Sequence, residues 1–151
     1  MSFLTVLRNQ PLIWALGIWL LAQLVKLPLE YLRTRTWNWA ILLRAGGMPS
    51  SHSALVSSAG YGLGLTAGFD TPAFAVAAVL ALIVIYDATG IRRQAGRHAE
   101  IINAMIQDLV EGHPLRQEVL REVLGHSPGE AFAGVVMGLG LTHLIWIVST
   151  M

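Results

Sequence analysis

The sequence predicts an all-α integral membrane helical bundle, with about four transmembrane helices and amphipathic helices at its surface. Three observations carry that prediction. Hydrophobic residues make up 54% of the chain and charged residues only 13%, about half the charged share of an ordinary soluble domain. The apolar residues gather in four long runs, and a membrane-crossing helix needs roughly 20 of them. The charged residues fall between those runs. A length of 151 residues fits one domain, read as residues 1–151.

The first run, about 11–29, reads PLIWALGIWLLAQLVKLPL. No small-x-small cleavage pattern follows it, so it is read as an anchor and not a signal peptide. Residues 30–51 are a polar loop with Arg33, Arg35 and Arg44. The second run, about 52–68, is short and rich in small residues: Ser53, Ser57, Gly60, Gly64 and Gly68. Such residues let helix backbones approach closely, as do Gly134 and Gly138 in the fourth run, and packing is the preferred reading of the glycines. The third run, about 72–90, follows after a very short link, so the two form a tight helical hairpin. Residues 91–127 are charged and periodic. Ile101, Ile102, Met105, Ile106 and Leu109 share a helical spacing, as do Leu115, Val119, Leu120, Val123 and Leu124, with Gly112 and Pro114 between the two runs. They are read as two amphipathic helices on the membrane surface or folded over the bundle; a soluble helical pair is the alternative. The fourth run is about 129–149.

Four spans put both termini on one face and the two polar segments on the other. Of the ten Lys and Arg, only Arg8 lies with the termini. The positive-inside tendency then places the polar segments in the cytoplasm, at the plasma membrane if the cell is bacterial. Zero cysteines exclude disulfides, thiolate metal sites and a cysteine nucleophile. The net charge of +1, without a basic block, gives no sign of nucleic-acid binding.

Ionisable groups near membrane depth are functional candidates. Lys26 and Arg33 are seven apart and share a helix face, which suits an anion or, equally, a snorkelling lysine beside a juxtamembrane arginine. Pro49-Ser50-Ser51-His52 opens the second span, where backbone N–H groups can bind an anion and His52 can exchange a proton; a capped helix with an incidental histidine reads the same way. Asp87, at the end of the third span, precedes Arg92 and Arg93. A carboxylate there pairs with an arginine to orient it, or acts directly. His126 and Glu130 are four apart at the start of the fourth span, so the carboxylate can fix the tautomer of the ring. Two histidines, one with a carboxylate partner, several cations and helix N-termini on one face match phosphoryl transfer through a histidine. No carboxylate cluster suggests magnesium, so no metal and no cofactor is expected.

These residues resemble the type 2 phosphatidic acid phosphatase family, related to the vanadium-dependent haloperoxidases. Lys26 and Arg33 keep the spacing of its first motif, with Thr34 in place of proline. Pro49-Ser50-Ser51-His52 stands for the second, Pro-Ser-Gly-His. His126 and Glu130 keep the end of the third, with Glu for Asp. The arginine of the third motif is missing from its usual place, where Leu120 stands; Arg92 or Arg93 is the proposed substitute, with Arg97 and Arg121 behind them. The strings GGMPSSHS, YDATGIRRQAG and GHSPGEAFAG look like the small divergent branch found in bacteria and plastids. The resemblance implies that His126 attacks phosphorus, Glu130 orients it, and His52 protonates the leaving oxygen and then activates water. It implies that Lys26, Arg33, Arg92 or Arg93, Ser50 and the Ser51 N–H hold the phosphoryl oxygens. The expected substrate is a membrane lipid phosphate or prenyl diphosphate. A vanadate-dependent oxidant and a non-enzymatic anion-binding membrane protein or transporter are the alternatives, and a bundle this small leaves room for a homodimer.

Overall fold

The computed structural model describes residues 3–42, 46–110 and 126–151. Five α-helices account for most of them: α1 Gln10–Thr34, α2 Ser51–Ala67, α3 Pro72–Thr89, α4 Ile91–Val110 and α5 Pro128–Thr150. Short 3₁₀ turns at Phe3–Arg8 and Trp39–Leu42 complete the described secondary structure.

Four helices start by the same local rule. A short polar side chain caps each one: Asn9 accepts from Leu12 N, Ser50 from Ser53 N, Thr71 from Phe74 N and Ser127 from Glu130 N. Each bond satisfies an N–H that has no partner within the helix. In α1, α3 and α5 a proline follows in the first turn, where its missing N–H costs nothing. Ser127 and Glu130 also cap reciprocally, Glu130 Oε2 accepting from Ser127 N at 3.0 Å.

Three stretches, Gln10–Thr34, Pro72–Gln107 and Pro128–Thr150, are long and apolar enough to cross a membrane. The run at 52–68 forms α2, which is about 25 Å long at 1.5 Å per residue. It is the central helix, packed against α1, α3 and α5. Its small buried side chains, Ser53, Ala54, Ser57, Ser58 and the glycines at 60, 62 and 64, make the close packing possible. From α1, Ala15, Ile18, Ala22 and Lys26 face inward at helical spacing; from α5, Ala131, Gly134, Gly138 and Thr142 do so. A Cβ on Gly138 would lie 2.6 Å from the Ala54 carbonyl oxygen, and one on Gly134 would collide with that of Ser50. The glycines are therefore packing residues. Thr142 hydrogen-bonds across this seam to Ser58 Oγ at 2.7 Å, so neither buried hydroxyl goes unsatisfied. The outer faces of α1, α3 and α5 are covered with exposed leucine, isoleucine and valine, as suits helices solvated by lipid chains.

One boundary differs from the sequence-based expectation. α1 runs past Pro28, which sits inside the helix, and continues through Glu30–Thr34, expected to be loop, until Arg35 closes it in the left-handed region at φ 57°. The charged segment expected from residue 91 does begin there, as α4 directly after Gly90, and among the described residues α4 packs chiefly on α3. The second amphipathic run, at 115–124, lies outside the described residues.

Candidate active site

The end of the bundle where α1 finishes and α2 and α5 begin collects the chemistry. Ser50 caps α2, so Ser51 and His52 occupy its first turn. The first bond of the helix is Ala54 N to Ser50 O at 3.0 Å, which leaves the Ser51 N–H outside the helical ladder. The Ser50 hydroxyl serves the cap, accepting from Ser53 N at 3.3 Å and from Ser53 Oγ at 3.0 Å. Pro49, just before the cap, is buried and joined to Met48 by a cis peptide bond.

α5 is locked against this turn through its backbone. Ser50 N donates to Glu130 O at 2.9 Å, and His126 N donates to Ala88 O in the last turn of α3 at 3.1 Å. These two bonds bring three helix ends together. His126 is 3% exposed. Its Nδ1 lies 3.2 Å from Glu130 Oε2, the same oxygen that receives the Ser127 N–H. One carboxylate thus caps α5 and orients the histidine. The His52 and His126 ring centroids are 6.2 Å apart.

Lys26 comes from α1 and is 1% exposed. Its ammonium hydrogen-bonds to Ser51 Oγ at 3.4 Å and lies in the field of the Glu130 carboxylate. A buried ammonium has three N–H donors and a large desolvation cost. One long bond to a hydroxyl answers little of that, which suits a site that receives an anion.

Lys26, Ser50, Ser51, His52, His126 and Glu130 are therefore one cluster. Arg33 is not drawn into it. It shares the helical face of Lys26 but lies about 10 Å further along the axis and is exposed. Asp87 is half-buried in the last turn of α3, next to the carbonyl that holds His126. Arg92 and Arg93 lie in the first turn of α4 by backbone; their side chains are outside the described residues, as are residues 120 and 121.

A sequence profile described as the Divergent PAP2 family matches residues 7–141, from the start of α1's approach to most of α5. The chain belongs to the divergent PAP2 family. This family member is also 38% identical to an uncharacterized membrane protein, YuiD, of Bacillus subtilis strain 168, with 93% of this chain and 96% of the relative covered. No solved structure matches it. The matched region contains the whole cluster, and the membrane character agrees with the apolar helices described above.

Sequence reasoning missed five contributors. The Ser127–Glu130 capping box was visible as S-x-x-E spacing. Ser53, bonded to the cap hydroxyl, stood among the small residues that let helices approach and was given no part in the site. The Ala88 carbonyl has no sequence signal. Gln23, one turn before Lys26, donates to the Leu42 carbonyl at 3.1 Å and ties the following loop to α1. Gly47 of that loop, at φ 81°, lies against the Lys26 side chain.

Proposed function

We propose that this divergent PAP2 protein is a membrane phosphatase, acting on a lipid phosphate or prenyl diphosphate through a phosphohistidine on His126. The observation that carries the reading is the pair of imidazoles, 6.2 Å apart, His126 oriented by the Glu130 carboxylate and His52 in the first turn of α2, where Ser51 meets the buried Lys26. A Glu130-bound Nδ1–H leaves the lone pair of His126 on Nε2. That nitrogen attacks phosphorus, the bond to the ester oxygen breaks, and the leaving oxygen takes a proton from His52. His52, now a base, takes a proton from water as the water displaces Nε2 and releases phosphate. Lys26 and the Ser51 N–H would balance the charge that grows on the phosphoryl oxygens, aided by Arg92 or Arg93. Arg33, exposed at the end of α1, has no such role in this reading. The Lys and Arg skew along the sequence supports a cytoplasmic site in a bacterial plasma membrane.

A second reading is an anion-binding protein without turnover. It draws on the same buried Lys26 and on the exposure of Arg33, which removes one cation of the family's usual set from the cluster. Purified protein supplied with phosphatidic acid or a prenyl diphosphate in EDTA separates the two. Release of inorganic phosphate supports the phosphatase. Saturable vanadate binding with no release supports the alternative.

A further inference from the structure

Past the last turn of α1 the chain builds something the cluster does not use. Arg35, left-handed, donates its N–H to Tyr31 O at 2.8 Å. Thr34 Oγ1 donates to Glu30 O at 2.9 Å and sits 3.0 Å from Thr36 Oγ1. The turn these bonds fix folds the chain back, so that Trp37 stacks on Tyr31 with centroids 4.6 Å apart. Trp39 stacks on Trp37 in turn, at 6.2 Å. The far end is held by the Gln23 bond to Leu42 O. This is an ordered ladder of three aromatic rings, yet Trp37 is 57% exposed and Trp39 66%. Arg33 and Arg35, both exposed, flank it.

The surface of α1 changes character at this level. Below it the exposed side chains are Leu20, Leu21, Leu24 and Leu29, with Leu32 the last of them. Above it come the indoles, the threonines and the arginines. An apolar span ending in amphipathic rings and cations is the profile of a chain leaving the acyl layer. Indoles favour the boundary, where the ring is desolvated and the N–H stays hydrated. Arginines reaching the lipid phosphates from there gain charge-assisted hydrogen bonds.

We propose that the Tyr31–Trp37–Trp39 ladder is a docking surface for phospholipid head groups and fixes the depth of the bundle. Lys26 is five residues before Tyr31, which puts its pocket about 7–8 Å deeper along α1. The cluster then lies at the edge of the acyl layer, beneath the plane of the lipid phosphates. A phosphate reaching it must be carried by a molecule anchored in the same leaflet. The placement does not rest on turnover and stands if the cluster only binds an anion.

The test compares wild type with Trp37→Phe/Trp39→Phe in phosphatidylcholine–phosphatidylglycerol vesicles. The fluorescence difference between the two proteins isolates the ladder from Trp14, Trp19 and Trp146. It is quenched by lipids brominated near the head group, by lipids brominated near the chain end, and by aqueous iodide. The expected result is quenching at least twofold stronger by the shallow bromine than by either other quencher. Dominant iodide quenching puts the rings in water, and weak quenching by all three means protein covers them, as a second copy would; either overturns the proposal. Because the chain has no cysteine, a spin label on Trp39→Cys gives a second reading. Higher collision with oxygen than with a water-soluble nickel complex supports the proposal, and the reverse overturns it.

Discussion

Replacing Gly134 by alanine tests whether the α2–α5 contact holds the site together. A Cβ there would collide with the Ser50 carbonyl oxygen and stand 3.0 Å from Ser53 Cβ. Neither neighbour can yield, because the Ser50 carbonyl accepts the first bond of α2 and the Ser50 N–H is held by Glu130 O. At Gly138 the same change puts Cβ 2.6 Å from Ala54 O. Since van der Waals contact begins near 3.4 Å, the helices must part by about 0.8 Å there and by more at Gly134. Overpacking of this kind costs about 1–3 kcal/mol, against a gain of up to about 1 kcal/mol in helix propensity. The separation also draws His126 and Glu130 away from His52. A misplacement near 1 Å can cost about 10²-fold in rate. Gly140 is the control, because a Cβ there meets nothing within 4 Å. Thermal unfolding in detergent and phosphate release are measured on all three variants. Gly134→Ala and Gly138→Ala should both melt below wild type. Gly134→Ala should also lose about 10²-fold in turnover, while Gly140→Ala matches wild type in both assays. If Gly134→Ala behaves like Gly140→Ala, the close approach does not position the site.

Other outcomes follow from the same contacts. Glu130→Gln keeps an acceptor for the Ser127 N–H but loses the charge facing His126, so its melting temperature should stay near wild type while turnover falls about 10²–10⁴-fold; Glu130→Ala should lose turnover and about 1 kcal/mol of stability. Lys26→Met removes a buried, thinly bonded ammonium, so unfolding should show equal or higher stability while turnover and vanadate binding are lost; a large drop in stability would mark Lys26 as structural. Activity should survive EDTA, and vanadate should inhibit as a mimic of the trigonal bipyramidal transition state; recovery only with magnesium would mean another mechanism. Cysteines placed at positions 44 and 2 should label from opposite sides of intact cells, with position 2 outside; the reverse pattern overturns the orientation drawn from the Lys and Arg skew.

The apolar runs and the small-residue seam were legible because they depend on composition and helical period. The His126–Glu130 contact was legible for the same reason, being four residues apart on one helix. Periodicity correctly put Lys26 and Arg33 on one face of α1, but it cannot say where the bundle ends along that face. Lys26 falls beside α2 and is buried, and Arg33 falls past the packed region. Long-range backbone bonds such as His126 N to Ala88 O leave no trace in residue type. The turn that stacks Trp37 on Tyr31 escaped because its left-handed residue is Arg35 and not a glycine.

The central claim is covalent transfer to His126, and trapping the phosphoryl group tests it most directly. An aryl phosphate has a leaving group that needs no proton, so His52→Ala should still be phosphorylated by it but be unable to activate water. Rapid quenching at alkaline pH and mass spectrometry of the peptide containing His126 should then show one phosphoryl group at near-stoichiometric occupancy, absent in His52→Ala/His126→Ala. Phosphate release by the wild type, with no phosphoryl group on His126 in the His52→Ala protein, would contradict the account.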